Sequence, residues 1–181
     1  EGKGWTDTED FHDRLPARAE KLVPRQVWNL SHDSAGMCVC FVTDATTISA
    51  GWTLRREALA MPHMPATGVS GLDLYVRKQG RWHWLGNGRP AKTDEEKILV
   101  SGLEPLRREY ILYLPLYNGV QKVKIGVPEG ATLERANPRP ASVKSIVFYG
   151  TSIVQGGCAS RPGMAYPAIL GRRFDLPTIN L

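Results

Sequence analysis

One stretch decides how the end of this chain folds: Ser145-Ile146-Val147-Phe148-Tyr149-Gly150-Thr151-Ser152-Ile153-Val154-Gln155-Gly156-Gly157. Its apolar run is continuous rather than alternating, which predicts a strand buried on both faces. Gly150 ends the run, and Gly156-Gly157 closes the short loop after it. A helix-like segment, Tyr166–Phe174, follows. The pattern therefore predicts the strand-to-helix turn of a parallel α/β unit, a turn that faces the ligand side of the sheet.

Ser152 lies within this turn, where a hydroxyl can stand clear of neighbouring side chains. Backbone N–H groups at the start of a helix favour negative charge and can donate to an oxyanion. An exposed hydroxyl beside such donors meets the needs of a serine nucleophile. A serine in such a turn can equally cap the helix or complete the turn. From the residues alone, both interpretations stay open.

Two motifs resemble those of a known family. Gly150-Thr151-Ser152-Ile153-Val154-Gln155-Gly156 resembles the first block, Gly-Asp-Ser-x-x-x-Gly, of the SGNH (GDSL-type) hydrolases, with Thr151 where most members carry Asp. Upstream, Gly71-Leu72-Asp73-Leu74-Tyr75 resembles the Gly-x-Asp-Leu-Tyr signature of an N-terminal β-domain that precedes a subgroup of these esterases. Tyr113-Leu114-Pro115-Leu116-Tyr117-Asn118-Gly119 is similar to the same domain. In this order, the matches cover most of the chain.

The resemblance implies a carboxylic ester hydrolase that works through an acyl-enzyme on Ser152, with the Ser152 backbone N–H as one oxyanion donor. It implies no metal and no cofactor. The implied substrate is a small-molecule or carbohydrate ester with a small acyl group such as acetyl, and the implied location is secreted or periplasmic. Two alternatives stay open: an acyltransferase that uses the same serine, and a carbohydrate-binding β-domain whose Ser152 unit is catalytically incidental.

The region before this turn reads as a series of short strands. They are predicted at residues 36–42, 46–54, 71–77, 81–85, 97–100, 108–116 and 121–127, with Gly, Pro, Asn and Asp in the breaks. Many short strands at this spacing predict an all-β sandwich of the jelly-roll kind. Residues 54–60 form the single window that suits a helical turn, and residues 1–24 read as a polar leader or short helix on the surface.

Three features refine this prediction. Leu72, Leu74 and Val76 alternate with polar or amphipathic neighbours, which is typical of a half-buried strand. Arg77-Lys78-Gln79-Gly80 then suggests a hairpin turn into the next strand. The strand at residues 108–116 is apolar on both faces, so it is expected at the centre of a sheet.

Trp82 and Trp84 should share one face of their strand, with His83 on the other. We expect the two tryptophans to pack between sheets, as large aromatic side chains usually do. The alternative is a platform on which sugar rings stack. Asp73 is expected to be hydrogen-bonded into a turn rather than to act in catalysis.

Asn137-Pro138-Arg139-Pro140 predicts a stiff connector between two domains, residues 1–140 and 141–181. The second segment holds one β-α-β unit, whereas a doubly wound domain needs on the order of 100 residues. The sequence thus predicts an incomplete SGNH domain. The resemblance implies that the activating Asp-x-x-His and the other oxyanion donors lie beyond Leu181, so residues 1–181 alone are expected to be inactive.

Composition excludes several other classes. The net charge is +5, but the basic residues are scattered, which argues against a nucleic-acid partner. No apolar run reaches membrane-spanning length. The four histidines and three cysteines show no zinc-ligand spacing. Cys38 and Cys40 should lie side by side on a strand as buried free thiols, and Cys158 is expected to be a packing residue. Oligomeric state cannot be inferred.

Overall fold

The computed structural model describes residues 1–181, and all seven strands predicted between residues 36 and 127 are present. The strands are β1 (Cys38–Thr43), β2 (Thr47–Leu54), β3 (Leu72–Lys78), β4 (Arg81–Gly88), β5 (Asp94–Ser101), β6 (Arg108–Tyr113), β7 (Val120–Gly126), β8 (Leu133–Arg135), β9 (Ile146–Phe148) and β10 (Thr178–Asn180). The α-helices are α1 (Arg25–Ser31), α2 (Ala66–Val69), α3 (Ser152–Gln155) and α4 (Tyr166–Phe174). Two 3-10 turns lie at Ala17–Lys21 and Pro162–Met164.

Two antiparallel sheets form the larger part of the molecule. Their strand orders are β4-β3-β6-β1-β8 and β5-β2-β7. The sheets share one apolar core, to which the first contributes Leu74 and Leu112 and the second Trp52 and Leu99. β6 lies at the centre of its sheet, as predicted. We call residues 38–135 the β-domain. The prediction of a mostly β architecture is confirmed, whereas the jelly-roll connection of the strands stays a prediction.

β3 confirms the alternating pattern read from the sequence. Leu72, Leu74 and Val76 all lie in the shared core. The hairpin to β4 is also present, with Lys78 paired to Arg81. Gln79 and Gly80 both have positive φ, 51° and 75°, as a two-residue type I′ hairpin turn requires.

β9 and β10 pair in parallel and are connected through α3 and α4, so the predicted β-α-β unit is present; we use this name for residues 146–180. The expectation that β9 is buried on both faces is wrong, because Val147 is 56% exposed. β9 has three residues and a single neighbouring strand. Phe148 packs edge-on against Tyr166 of α4, while Val147 points away from it. A complete α/β/α domain stays a prediction.

The helices outside this unit lie elsewhere than predicted. Residues 54–60 contain no helix. Instead, α1 and α2 each begin directly after a proline, Pro24 and Pro65. Proline is well suited to the start of a helix because it has no N–H to leave unpaired. None of the helices combines the length and hydropathy of a membrane span.

The segment at residues 1–24 is not simply a surface leader, since Asp13 and Arg14 are only 1% and 6% exposed. Arg14 donates hydrogen bonds to the backbone carbonyls of Leu30 and Asp33. Asp13 accepts one from the backbone N–H of Asp10. Burial of a charged group is tolerable when such partners replace water. Polar composition therefore misled the prediction for this segment.

Candidate active site

Ser152 is the first residue of α3 and follows the loop that leaves β9. Thr151 precedes it in extended conformation, with φ −103° and ψ −156°. The Ser152 side chain is exposed. Because Ser152 opens the helix, its N–H has no intrahelical acceptor. An exposed side chain and a free backbone donor thus belong to the same residue.

The backbone carbonyl of Ser152 is held from two sides. It accepts hydrogen bonds from the N–H groups of Gly156 (3.1 Å) and Gly157 (2.7 Å), which close the short helix. It also accepts one from the Tyr117 hydroxyl at 2.9 Å, and Tyr117 belongs to the β-domain. The position of the serine therefore depends on both parts of the chain.

Gln155, the last residue of α3, holds this helix in place through a buried polar cluster. Its Nε2 donates to Asp33 Oδ2 (3.1 Å) and to the Leu116 carbonyl (3.0 Å), and its Oε1 accepts from Arg14 Nη2 (3.1 Å). Burial raises the pKa of Asp33, although the Arg56 guanidinium beside it opposes that change. Every polar atom of the Gln155 amide has a partner, so α3 has little freedom to shift.

The backbone conformation and the close packing after α3 require a glycine. Gly156 has φ +114°, and a Cβ there would come within 2.9 Å of both the Leu116 and Ala165 side chains. Residues with a side chain rarely adopt this conformation, and here they would also clash. The loop expected between Gly150 and Gly156 is instead the one-turn helix α3. Thr151, at the usual Asp position, makes no side-chain capping hydrogen bond.

Asp73, the acid of the β-domain signature, is fully buried and lies against the β-α-β unit. Its Oδ1 accepts from Trp84 Nε1 at 2.8 Å, and its Oδ2 accepts from the Gly163 N–H at 2.9 Å and lies 3.3 Å from Arg161 Nε. Burial raises the pKa of Asp73 to about 6, even though these three partners lower it. The expectation that Asp73 is hydrogen-bonded into a turn is confirmed, the turn being Pro162–Met164 of the β-α-β unit.

Trp82 and Trp84 share a face of β4, as predicted, but they do not pack between the two sheets. Trp82 contacts the outer cluster with Tyr75 and Tyr113, and Trp84 is 49% exposed. The reason is the register of β4, which directs both rings to the face that meets the β-α-β unit. The Arg161 guanidinium lies 4.7 Å from the centre of the Trp84 ring.

The cysteines and histidines lie away from the serine turn or take no evident part in it. Cys38 and Cys40 are free thiols side by side on β1, as predicted, but they are half-buried and not buried. Cys158 is exposed rather than packed. Cys158 follows the two glycines and has a positive φ of 63°. His32 Nδ1 lies 3.0 Å from Asp13 Oδ2. Candidate metal ligands gather in two places, Glu1 with Cys38 and Cys40, and Glu9 with Asp13 and His32.

The β-domain packs against a parallel strand-turn-helix that has a serine at the start of the helix, which is the arrangement that the sequence resemblance implies. Family comparisons agree. The GxDLY family, described as the N-terminus of Esterase_SGNH_hydro-type, matches residues 1–133, and the GDSL-like Lipase/Acylhydrolase family matches residues 143–181. The chain belongs to the SGNH-type esterase family with a GxDLY N-terminal domain.

Solved structures show the same relationship. A protein of Bacteroides ovatus ATCC 8483, provisionally named a GDSL-like lipase, is 36% identical with a TM-score of 0.91, over 99% of this chain and 52% of that one. The salicylyl-acyltransferase SsfX3 of a tetracycline biosynthetic pathway is 22% identical (TM-score 0.62, 92% of this chain and 46% of that one). A family two carbohydrate esterase of Clostridium thermocellum is 19% identical (TM-score 0.57, 80% and 44%).

The last two similarities show the fold alone. The chain spans about half the length of the solved structures that it matches. No curated protein matches it significantly.

Proposed function

We propose that the whole protein is a carboxylic ester hydrolase in which Ser152 is the nucleophile. The observation that carries this proposal is the placement of Ser152 as the first residue of α3, with its side chain exposed. The family to which the chain belongs supports the reaction class. Residues 1–140 and 141–181 are proposed as the two domains that build the site.

The proposed reaction has two displacements. Ser152 Oγ loses its proton to a base and bonds to the carbonyl carbon of the ester, and the carbonyl oxygen becomes an oxyanion that the Ser152 N–H stabilises. The carbon–oxygen bond to the alcohol then breaks, and the alcohol leaves with a proton. Water attacks the acyl-enzyme in the same way and releases the acid. No residue among 1–181 is assigned as the base.

Tyr117 acts in this proposal as a positioning residue, because its hydroxyl contacts the Ser152 carbonyl and not the substrate. Tyr117→Phe removes this hydrogen bond and keeps the ring. We expect kcat to fall roughly tenfold with KM nearly unchanged, since small displacements of a reacting group are costly. A change confined to KM would contradict the positioning role.

The proposed substrates are small-molecule or carbohydrate esters of small acids such as acetate. Support comes from the half-exposed Trp84 ring and from a similar fold that is named as a carbohydrate esterase in complex with cellohexaose. Transfer to an alcohol instead of water is the acyltransferase alternative, and the products formed with an added alcohol distinguish the two. Secretion or export to the periplasm is proposed from the family resemblance.

The decisive experiment measures release of phenol from a short-chain aryl ester by the complete protein. Ser152→Ala should lower the rate by several orders of magnitude, roughly 10⁴-fold or more. Ser142→Ala, the same change at an exposed serine just after the connector, should leave the rate unchanged. Full activity of Ser152→Ala would end the proposal.

A second measurement concerns residues 1–181 alone. Because no base is assigned in them, we expect no turnover above background. Robust turnover that depends on Ser152 would place the base within these residues.

The specific alternative is a carbohydrate-binding module, favoured by the exposed Trp84 ring. If it holds, Trp84→Ala should abolish binding to an oligosaccharide while Ser152→Ala has no effect on any measured property. An ester-cleaving protein with no measurable oligosaccharide affinity excludes it.

A further inference from the structure

Cys38 and Cys40 form a thiol pair on the outer face of β1, away from the Ser152 turn. Their Sγ atoms are 3.9 Å apart. The thiols lie over Tyr113 and Ile111 of β6, which pair with Cys38 and Cys40 in the sheet. Alternate residues of an extended strand point the same way, so the pair is set by the backbone and not by chance side-chain rotation.

This separation fits a metal better than a disulfide. In a tetrahedral zinc site, Zn–S bonds of about 2.3 Å place two sulfurs about 3.8 Å apart. A disulfide needs an S–S distance of about 2.05 Å and a sharp dihedral angle, which two alternate residues of one strand do not readily supply. The pair therefore has the spacing of two ligands of one metal ion.

Glu1 provides a third ligand. Its carboxylate and the two sulfurs all lie within 4.8 Å of one another. Arg139 Nε lies 3.1 Å from Glu1 Oε1, which orients the carboxylate as an outer partner would and leaves its other oxygen free.

The three ligands are also accessible. All three line one open cavity of about 730 Å³, bounded by β1, β8, the connector and the N-terminal segment. A hydrated cation can enter this cavity, and a water molecule can complete the coordination.

We propose that Cys38, Cys40 and Glu1 form a binding site for a thiophilic divalent cation of the zinc type. On binding, both thiols release their protons to solvent and each sulfur forms a bond to the metal. Soft sulfur ligands select zinc or cadmium over magnesium and calcium. The spacing rules for zinc motifs could not detect this site, because one ligand lies far from the other two in sequence.

The test uses the reduced protein and Cd²⁺, whose bonds to thiolates give an ultraviolet charge-transfer absorption. One equivalent of Cd²⁺ should generate the band and excess Mg²⁺ should not displace it. The band should be lost in Cys38→Ser and in Cys40→Ser and retained in Cys158→Ser. Glu1→Gln should keep the band but weaken binding by about tenfold or more.

A parallel measurement needs no variant. Zn²⁺ should protect Cys38 and Cys40, but not Cys158, from alkylation, as read by mass spectrometry of the labelled peptides. Absence of both the band and the protection, a band that persists without Cys38 or Cys40, or unchanged affinity in Glu1→Gln would each overturn the three-ligand site.

Discussion

The two faces of β3 contact different parts of the molecule in different ways. On the inner face, Leu72, Leu74 and Val76 pack into the apolar core between the sheets. On the outer face, Asp73, Tyr75 and Arg77 meet the β-α-β unit through charges and hydrogen bonds. Apolar contacts are non-directional, whereas hydrogen bonds and ion pairs fix orientation.

The contacts on the outer face of β3 fix the position of the β-α-β unit. Asp73 binds the turn before α4, and the Arg172 guanidinium of α4 lies 3.9 Å from the centre of the Tyr75 ring. Arg77 pairs with Asp175, which ends α4, at 2.7 Å. The inner face therefore stabilises the β-domain, while the outer face determines where the β-α-β unit, and therefore Ser152, lies.

The largest effect should come from the inner face. Leu74 is completely buried, so Leu74→Ala loses transfer free energy and leaves a cavity. We expect the free energy of unfolding to fall by about 2–5 kcal/mol, measured by urea denaturation. Leu74→Met, which keeps the volume, is the control and should lose less than about 1.5 kcal/mol. A smaller loss for Ala than for Met would contradict the assigned core.

On the outer face, the ionisation of Asp73 should make the stability of the protein depend on pH. The pKa of Asp73 is raised from 3.8 to about 6 in the folded state, so folding favours its protonated form. Below about pH 4, protonated Asp73 makes its full contribution to the free energy of unfolding. This contribution falls by up to about 3 kcal/mol as the pH rises through about 6. Asp73→Asn cannot ionise. The stability of the native protein relative to this variant should therefore fall between about pH 4 and pH 7.

The opposite slope in that comparison would mean that Arg161, Trp84 and Gly163 together outweigh the cost of burial. Asp44→Asn serves as the control, since Asp44 is half-buried just after β1 and the Thr132 N–H lowers its pKa instead of raising it.

An intermediate effect is expected for the half-exposed tryptophan. Trp84→Phe keeps an aromatic ring but removes the N–H that donates to Asp73. A hydrogen bond to a charged group contributes about 1.5–3 kcal/mol, and we expect a loss in that range at neutral pH. His83→Ala, an exposed change on the same strand, should stay within about 0.5 kcal/mol. Equal losses in both variants would argue against the Asp73 contact.

The smallest effect is expected at the solvent-facing edge. Arg77 and Asp175 are both partly exposed, with side chains 32% and 42% accessible. A double-mutant cycle with Arg77→Gln and Asp175→Asn should give a coupling free energy of about 0.2–1 kcal/mol, lower at high salt. A coupling of several kcal/mol would show that this edge contributes as much as the buried core.

The inner face was predictable from sequence and the outer face was not. Alternation at Leu72, Leu74 and Val76 reports burial directly, because the period of a strand is two residues. Asp73 appeared as an isolated acid, since its partner Gly163 is 90 residues away and contributes only a backbone N–H. Similarly, the polar composition of the N-terminal segment concealed the burial of Arg14, whose partners are mostly carbonyl groups.

The candidate site was predictable in part. The glycines around Ser152 located its turn, since Gly156 needs a conformation that other residues avoid. The role of Tyr117 could not be predicted from the sequence, because the Tyr117 hydroxyl donates to a main-chain oxygen and no side-chain pattern indicates such a contact. The tryptophans of β4 were misplaced because alternation shows which residues share a face but not which neighbour that face meets.

The contact between Arg14 and Gln155 joins residues 141 positions apart, which has a consequence for the order of synthesis. Domains form from the N-terminus as the chain leaves the ribosome. The guanidinium of Arg14 and the carboxylate of Asp33 emerge long before the amide that completes their cluster. The helix that begins at Ser152 therefore completes the buried polar cluster of the N-terminal segment, and Ser152 reaches its final position only when that cluster forms.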